Sequence, residues 1–394
     1  MKKKRFYLAI DLGAESGRTI IGWLENRRLR INEVHRFTTY NIQIGKYLFW
    51  DAPAIFAEIK KSLSIVAKKE IAGIGITTWG VDHAFIDKNG ILISLPFHYR
   101  DRRTEKIMKE VFRIIGKKEI FNQTGIQFMP FNTLYQVYTT QKNADWILKS
   151  ADKMLFMPDL FNYWLCGVAV NEFTIASTSQ MVNPIKNRFK PRGDWTYSIL
   201  KKLKVPTHFL SDIVQPGKKI GILSKSIQEE LNIGKIPVFS VCCHDTASAV
   251  FAVPAMNKQW AYLSSGTWSL LGKEIDNPLI NDQTLLFNFT NEGGYNGKIR
   301  FLKNIMGLWI LQECRRQWNE KQNRQISYVE LSEAASKEKP FFSLIDVNNP
   351  IFLFPDNMIA KIQTYCRSTK QKVPETIGQI TRVILESLAL EYKL

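Results

Sequence analysis

Alternating and short apolar segments dominate the first 90 residues and predict a β-rich beginning to the chain. Predicted strands cover residues 6–10, 18–24, 29–37, 71–77 and 81–86. Between the third and fourth strands, apolar side chains at Ile55, Ile59 and Leu63 follow helical spacing and predict a helix over residues 52–67. This β-β-β-α-β order differs from the strict β-α alternation of a doubly wound nucleotide-binding sheet.

Further along, the pattern predicts a helical region and then a second unit. Helical spacing dominates residues 103–165. A β-like run over residues 237–241, the opening of a helix over 246–250 and a hairpin over 260–271 indicate that a new unit begins near Pro237. The predicted domains are residues 1–236 and residues 237–394.

The last segment predicts a helix with a broad apolar face. Pro374 is expected in its first turn. The apolar positions on one side of it are Ile377, Ile380, Val383, Ile384, Leu388 and Leu390. The chain stops at Leu394 without a glycine cap and without a following segment to cover that face. We therefore expect that sequence is missing after this helix and that the second domain is truncated.

The formal charge of +18 is the one unusual feature of a composition that is 45% hydrophobic and 23% charged. Concentrated in one stripe, such an excess would indicate a nucleic-acid or acidic-membrane partner. The basic residues instead occur in short runs along the whole chain, for example at residues 2–5, 68–69, 201–204 and 315–316. Dispersed charge makes no groove, so we interpret it as solvated surface and predict neither a nucleic-acid nor a membrane partner.

Five cysteines without a C-x-x-C spacing indicate neither a disulfide framework nor a zinc site. The basic N-terminus imitates a secretory signal, but Asp11 and Gly13 interrupt the apolar run too early for one. No stretch approaches the length needed to span a membrane. These observations predict a protein of the reducing cytoplasm.

Residues 11–18, Asp-Leu-Gly-Ala-Glu-Ser-Gly-Arg, connect the first two predicted strands. Glycine in a tight turn allows backbone amides to converge on an anion, and Ser16 adds a hydroxyl donor. Asp11, at the end of the strand, could hold a magnesium-bound water beside bound phosphates. An ordinary β-turn capped by Asp11 explains the same residues as well. The segment is neither a P-loop nor a G-x-G-x-x-G motif.

Residues 243–247, Cys-His-Asp-Thr-Ala, lie between a predicted strand and a predicted helix. A carboxylate at this place could accept the proton of a sugar hydroxyl while a phosphoryl group arrives in line. Asp245 could equally be a helix N-cap, and a lone histidine such as His244 is more often structural than catalytic.

Residues 78–82, Thr-Trp-Gly-Val-Asp, follow the fourth predicted strand. They combine an aromatic face at Trp79, an unhindered backbone at Gly80 and a carboxylate at Asp82, which suits ring stacking and hydroxyl contacts in a sugar site. A structural turn would use the same residue types.

Together, a series of ordered motifs resembles the FGGY carbohydrate kinases. They occupy residues 9–18, 78–82, 97–101, 157–161, 171–180, 244–247, 264–269, 291–294 and 302–309. The resemblance runs in register from about residue 5 to about residue 320, and the series is far more specific than any single motif. Within the family, it is most similar to the members that act on L-rhamnulose.

The resemblance implies an α/β fold of two ribonuclease-H-like domains, as in actin and hexokinase, which flank a catalytic cleft. It implies ATP-dependent phosphorylation of L-rhamnulose to L-rhamnulose 1-phosphate in rhamnose catabolism, with Mg²⁺ to neutralise phosphate charge. L-fuculose and D-xylulose are the alternative substrates. The partners so implied are a small-molecule ketose and ATP.

Family roles transfer to this chain by motif. The ATP-binding positions implied are Ala14, Glu15, Ser16, Gly17, Arg18, Thr267 and Gln312. The sugar-contacting positions implied are Gly80, His244, Asp245, Thr246 and Asn304. Asp245 matches the general base of the family.

One part of the family pattern is absent from the sequence. The glycine-rich segment that holds the adenosine in the family has no counterpart here, which agrees with the expected truncation. A catalytically impaired relative that still binds sugar is therefore the alternative to an active kinase.

Overall fold

The structure is a computed structural model that describes residues 4–185, 193–257 and 259–394. The described chain forms two compact units. The first unit extends to Trp260 and includes Lys273–Leu302, and the second consists of Ala261–Gly272 and Lys303–Leu394.

Strands and helices alternate irregularly along the chain. The strands are β1 (Phe6–Leu12), β2 (Ser16–Glu25), β3 (Arg28–Thr38), β4 (Asn41–Ile44), β5 (Tyr47–Trp50), β6 (Ile71–Thr78), β7 (His83–Ile86), β8 (Lys153–Phe156), β9 (Asn171–Glu172), β10 (Val182–Asn183), β11 (Asp194–Trp195), β12 (Ile213–Val214), β13 (Lys218–Ile222), β14 (Pro237–Ser240), β15 (Tyr262–Ser265), β16 (Trp268–Ile275), β17 (Thr290–Gly293) and β18 (Ile299–Met306). The helices are α1 (Ala52–Val66), α2 (Ile107–Ile114), α3 (Lys117–Thr124), α4 (Thr133–Ser150), α5 (Met157–Cys166), α6 (Phe173–Ala176), α7 (Tyr197–Lys202), α8 (Lys225–Leu231), α9 (Asp245–Phe251), α10 (Asp282–Leu286), α11 (Trp309–Gln322), α12 (Tyr328–Ser336), α13 (Met358–Ser368) and α14 (Ile377–Lys393).

A mixed six-stranded sheet forms the centre of the first unit, in the order β13-β14-β6-β1-β2-β3. Strands β1, β6 and β14 run parallel, and the other neighbouring pairs are antiparallel. Ile10, Ile76 and Val238 in the parallel strands are fully buried, as expected for strands covered on both faces. Because the carboxyl ends of these strands lie at one edge, the segments that follow them meet there.

The predicted β-rich beginning and its helix are confirmed. Ile55, Ile59 and Leu63 are fully buried on one side of α1, whose first turn is capped by the Asp51 carboxylate. The structure adds the hairpin β4–β5, which the sequence analysis did not assign, and every residue of β4 is exposed.

The position of β14 differs from the predicted organisation. This strand pairs with β6 and β13 in the central sheet of the first unit, whereas the compact second unit begins at Ala261. The division into residues 1–236, with the sugar site and the first phosphate hairpin, and residues 237–394, with Asp245 and the second hairpin, remains a prediction.

The apolar face of α14 is covered by the chain itself, so the expectation that only a missing segment could cover it is wrong. Ile380, Val383, Ile384 and Leu388 are all buried within the second unit, where α14 packs against α12 and α11. The helix begins after its N-cap Thr376, which leaves Pro374 outside the first turn. The inference of a truncated second domain rested on an uncovered face, and it therefore has no support from this helix.

None of the helices that the structure describes is both long and apolar enough to cross a lipid bilayer.

Candidate active site

Three loops at one edge of the central sheet carry the first-unit residues that the sequence singled out. They follow the carboxyl ends of the parallel strands β1, β6 and β14, where α/β proteins commonly bind ligands. The loops after β6 and β14 are joined directly, because the Thr78 N–H donates a hydrogen bond to the carbonyl of Cys243 at 2.9 Å. The hydroxyl of Thr77 donates to the same carbonyl at 3.1 Å.

Gly80 lies beside His244. A Cβ added at Gly80 would lie 3.4 Å from Nε2 of His244 and 3.2 Å from Oγ1 of Thr178. The Thr178 hydroxyl also accepts a hydrogen bond from the N–H of Val81 at 3.0 Å, which fixes this turn. The missing side chain at Gly80 therefore keeps space free next to the imidazole edge.

Asp245 is the first residue of α9 and presents a half-buried carboxylate. Its Oδ1 accepts hydrogen bonds from the N–H and hydroxyl of Thr246 at 2.5 and 3.2 Å and lies 3.4 Å from Nε2 of His244. Within the part of the chain that is described, Oδ2 accepts no hydrogen bond. Burial raises the pKa of Asp245, and the neighbouring His244 opposes that shift. A held carboxylate with one available oxygen suits a general base.

The helix N-cap interpretation of Asp245 does not fit this geometry. The N-cap position of α9 is His244, whose side chain makes no capping hydrogen bond.

Glu172 and Thr174 hold the loop that carries Asp245. The buried Glu172 accepts a hydrogen bond from the N–H of Cys243 at 3.0 Å, and the Thr174 hydroxyl accepts one from the N–H of His244 at 3.2 Å. Burial raises the pKa of Glu172 to about 7, while hydrogen bonds from Thr174 and Cys243 act in the opposite direction. Both residues lie in the motif at residues 171–180, to which the sequence analysis gave no individual roles.

The first predicted phosphate hairpin is the turn between β1 and β2. The Gly13 N–H donates to the carbonyl of Ser16 at 2.9 Å and closes the turn, whose tip at residues 14–16 is partly or fully exposed. Across the hairpin, Nε and Nη2 of Arg18 each lie 2.9 Å from Oδ2 of Asp11. The structure therefore gathers the predicted residues 14–18 and Asp11 at one end of the sheet.

Gly17 has a structural reason to be glycine. A Cβ at this position would lie 2.6 Å from the Phe37 ring and 2.8 Å from Cδ2 of Leu12. The packing of the hairpin alone therefore accounts for the glycine, and a contact of Gly17 with phosphate stays a prediction.

Asp82 is a structural residue, contrary to the sugar contact considered from the sequence. Its Oδ2 accepts hydrogen bonds from Nε1 of Trp50 at 2.6 Å, Nε1 of Trp79 at 3.0 Å and the N–H of Tyr99 at 3.1 Å. Its Oδ1 accepts from Nε2 of Gln136 at 2.9 Å. Protein donors thus use both oxygens, and burial raises the pKa of Asp82 to about 7.

The second-unit candidates Thr267 and Gln312 lie on adjoining elements. The turn between β15 and β16 contains Thr267, whose carbonyl accepts a hydrogen bond from the N–H of Trp309 at the start of α11. Gln312 follows in the first turn of α11, and its buried Oε1 has no hydrogen-bond partner among the described residues. Asn304 lies on β18.

The described residues contain no group of three or more His, Cys, Asp or Glu side chains that could hold a metal ion. A magnesium ion that arrives with a nucleotide needs no such group, because it takes one or two carboxylates together with phosphate oxygens and waters. The Asp11 carboxylate, 30% exposed at the end of β1, fits this limited role.

Family models cover both halves of the chain. Residues 6–252 match the N-terminal domain of the FGGY family of carbohydrate kinases, and residues 261–394 match its C-terminal domain. The chain belongs to the FGGY family of carbohydrate kinases. It is accordingly a sugar kinase, an enzyme that uses ATP as its phosphoryl donor, as the motif series predicted.

Several curated relatives align with almost the whole chain. It is 45% identical over 392 residues to the Rhamnulokinase of Bacteroides thetaiotaomicron, an alignment that covers 99% of this chain and 79% of the relative. It is 39% identical over 388 residues to the Rhamnulokinase of Bacillus subtilis, with coverage of 98% and 77%.

Solved structures agree on the fold. A ligand-bound xylulose kinase from Lactobacillus acidophilus superposes with a TM-score of 0.75 at 15% identity, covering 98% of this chain and 76% of that one. The glycerol kinase of Plasmodium falciparum with ADP gives a TM-score of 0.70 at 15% identity, with coverage of 99% and 77%. The predicted α/β kinase fold of the actin and hexokinase type is thereby confirmed.

Proposed function

We propose that this FGGY kinase transfers the γ-phosphoryl group of ATP to L-rhamnulose, forming L-rhamnulose 1-phosphate and ADP. Two observations support this substrate: the identity with relatives named Rhamnulokinase, and the convergence of Gly80, His244 and Asp245 beside one another. The proposed mechanism rests on Oδ2 of Asp245, which is available to accept the proton of the sugar hydroxyl. All five cysteines are free thiols, which fits a place for this reaction in the cytoplasm.

In the proposed reaction, Asp245 accepts the proton of the sugar hydroxyl. The hydroxyl oxygen then bonds to the γ-phosphorus of ATP, and ADP leaves. Since Thr246 and His244 lie at Oδ1, the carboxylate is held with Oδ2 directed to the proton. The raised pKa of Asp245 makes the carboxylate a stronger base than an exposed aspartate. Gly80, His244, Thr246 and Asn304 are proposed to contact the ketose.

The ATP side of the proposal uses the two hairpins. Residues 14–18 would bind phosphate oxygens through backbone amides and Ser16, and Thr267 is proposed as an ATP contact on the family motif. Gln312 supplies an acceptor, Oε1, that the described protein groups leave unused, which fits a nucleotide contact. Mg²⁺ would lower the negative charge on the phosphates, and Asp11 would hold one of its waters.

A ketose panel tests the substrate. ADP release is measured with ATP, Mg²⁺ and, in parallel, L-rhamnulose, L-fuculose and D-xylulose. The proposal expects the highest kcat/KM with L-rhamnulose. A higher value with either other ketose would assign the chain to a sister activity. Ketose binding by calorimetry without turnover of any of the three would favour the sugar-binding alternative.

A matched pair of substitutions tests the base. Asp245→Asn removes the proton acceptor and should lower kcat by about 10²- to 10⁴-fold, with calorimetric binding of L-rhamnulose retained. Asp145→Asn is the control, because Asp145 pairs on the surface with Lys149 and should leave kcat unchanged. Unchanged turnover in the Asp245 variant would contradict its assignment as base.

A further inference from the structure

Arg300 is a fully buried guanidinium in the first unit, and one of its three partners is His244, which precedes the candidate base. Arg300 lies opposite Glu292 in the β17–β18 pair. Its Nε donates to the carbonyl of Gly293 at 2.9 Å, and its Nη2 lies 3.0 Å from Oε2 of Glu292 and 2.9 Å from Nδ1 of His244. We refer to Arg300, Glu292 and His244 as the arginine cluster.

The donors of Arg300 determine which His244 nitrogen carries the proton. A guanidinium stays charged and offers only N–H donors. The two N–H bonds of Nη2 match the two acceptors beside it, Oε2 of Glu292 and Nδ1 of His244. A proton on Nδ1 would set two donors against each other at 2.9 Å. Oε2 of Glu292 lies farther from Nδ1, at 3.4 Å, so the shorter contact with Nη2 decides whether Nδ1 donates or accepts.

The proton of the neutral ring therefore belongs on Nε2, the atom that faces the proposed reaction. Nε2 lies 3.4 Å from Oδ1 of Asp245 and on the side where Gly80 lacks a side chain. An N–H at this position is a donor that points toward the base and the ketose oxygen next to it.

We propose that Arg300 is a positioning residue that fixes His244 in its Nε2–H tautomer, so that His244 donates toward Asp245 and the ketose. The inference rests on the proposed function, because it takes Asp245 as the base. Glu292, 3% exposed, balances the buried charge of Arg300, so the cluster is held without a free charge. Arg300 itself has no exposed surface and acts only through His244.

The tautomer can be measured independently of turnover. The chain is labelled with ¹⁵N-histidine, and the signal of His244 among the five histidines is assigned by its loss in His244→Gln. At pH 8, the proposal expects a protonated Nε2 and an unprotonated Nδ1. A protonated Nδ1 in the wild-type chain overturns the proposal. If no ketose is phosphorylated, the proposed function fails while the tautomer result still stands.

Kinetics tests the consequence. Arg300→Met removes the donors and should lower kcat/KM for the ketose by about 10- to 100-fold, with KM for ATP unchanged. Arg300→Lys keeps a charged donor and should recover part of that loss. Equal losses for ketose and ATP, or no difference between the two variants, would indicate a structural role and overturn the proposal. If circular dichroism shows that Arg300→Met does not fold, the double variant Arg300→Met/Glu292→Gln is used in its place. The second substitution removes the carboxylate that the first would leave buried and unpaired.

Discussion

The hydroxyl of Thr174 accepts a hydrogen bond from the backbone N–H of His244 at 3.2 Å, and it donates to Oε2 of Glu172 at 2.5 Å. The same Oε2 accepts from the N–H of Cys243. Two consecutive backbone amides, directly before Asp245, are therefore held by side chains from β9 and from α6, which follows it directly. The position of the proposed base depends on this contact.

Thr174→Val should remove the hydrogen bond that holds the loop before Asp245. Valine has a similar shape but no hydroxyl, so the buried N–H of His244 would lose its acceptor. We expect the free energy of unfolding to fall by about 1–3 kcal/mol and kcat to fall by about 10-fold. Urea unfolding and steady-state kinetics measure the two effects. Thr174→Ser keeps the hydroxyl and should restore most of kcat, and a serine variant as impaired as valine would contradict the explanation.

Gly80→Ala should weaken ketose binding. The added methyl group would lie within 3.4 Å of Nε2 of His244 and of the Thr178 side chain, so it would occupy space that the sugar needs. We expect KM for L-rhamnulose to rise about 10-fold while KM for ATP is unchanged. Gly234→Ala is a matched control, because a Cβ there meets no atom within 4 Å. An unaltered KM for the ketose would remove Gly80 from the sugar site.

Gly307→Ala should act on the nucleotide instead. A Cβ at Gly307 would lie 2.6 Å from Oγ of Ser269 and 2.8 Å from the carbonyl of Gly266, so the hairpin that carries Thr267 must shift. If Thr267 contacts ATP, kcat/KM for ATP should fall by about 10-fold or more. Initial rates at varied ATP and saturating ketose measure this. A loss confined to the ketose would contradict the role given to the hairpin.

Asp82→Asn should change the pH dependence of stability. The pKa of Asp82 is raised to about 7 in the folded chain, above its unfolded value, so its contribution to stability is full below about pH 4 and is lost as pH rises through about 7. The asparagine variant lacks this contribution. The difference in unfolding free energy between wild type and variant should therefore be larger at pH 5 than at pH 8.

The same variant also carries a difference that does not depend on pH. The asparagine amide would face either Nε2 of Gln136 or the indole donors, at a cost of about 1–3 kcal/mol. Urea unfolding at pH 5, 6, 7 and 8 separates the two effects, since groups common to both chains cancel. A difference independent of pH would show that Asp82 does not titrate in this range.

The sequence predicted those parts of the structure that local pattern controls. Apolar spacing identified the strands of the first sheet and α1, and the ordered motifs identified the family. The sequence pattern did not predict that α12 covers α14. Such a contact joins residues distant in sequence, and α12 buries only Leu331 and Ala335.

The candidate site shows the same limit. Gly80, His244 and Asp245 follow strand ends and were singled out from the sequence, and the structure brings them together. Glu172 was part of a motif but received no role, and Arg300 lay in no motif, since their roles arise only when separate strands bring them to one loop and one ring. Asp82 shows the opposite case, because its motif resembles a sugar contact while its hydrogen bonds are all internal.

The backbone bond from Thr78 to Cys243 extends the ladder between β6 and β14 into the loops beyond them. The conformational entropy of ordering these loops is therefore lost when the first unit folds, and it is not lost again when a sugar arrives. The proposed ketose site on this side is therefore preorganised, so its affinity should reflect the contacts made and not a rearrangement needed to make them.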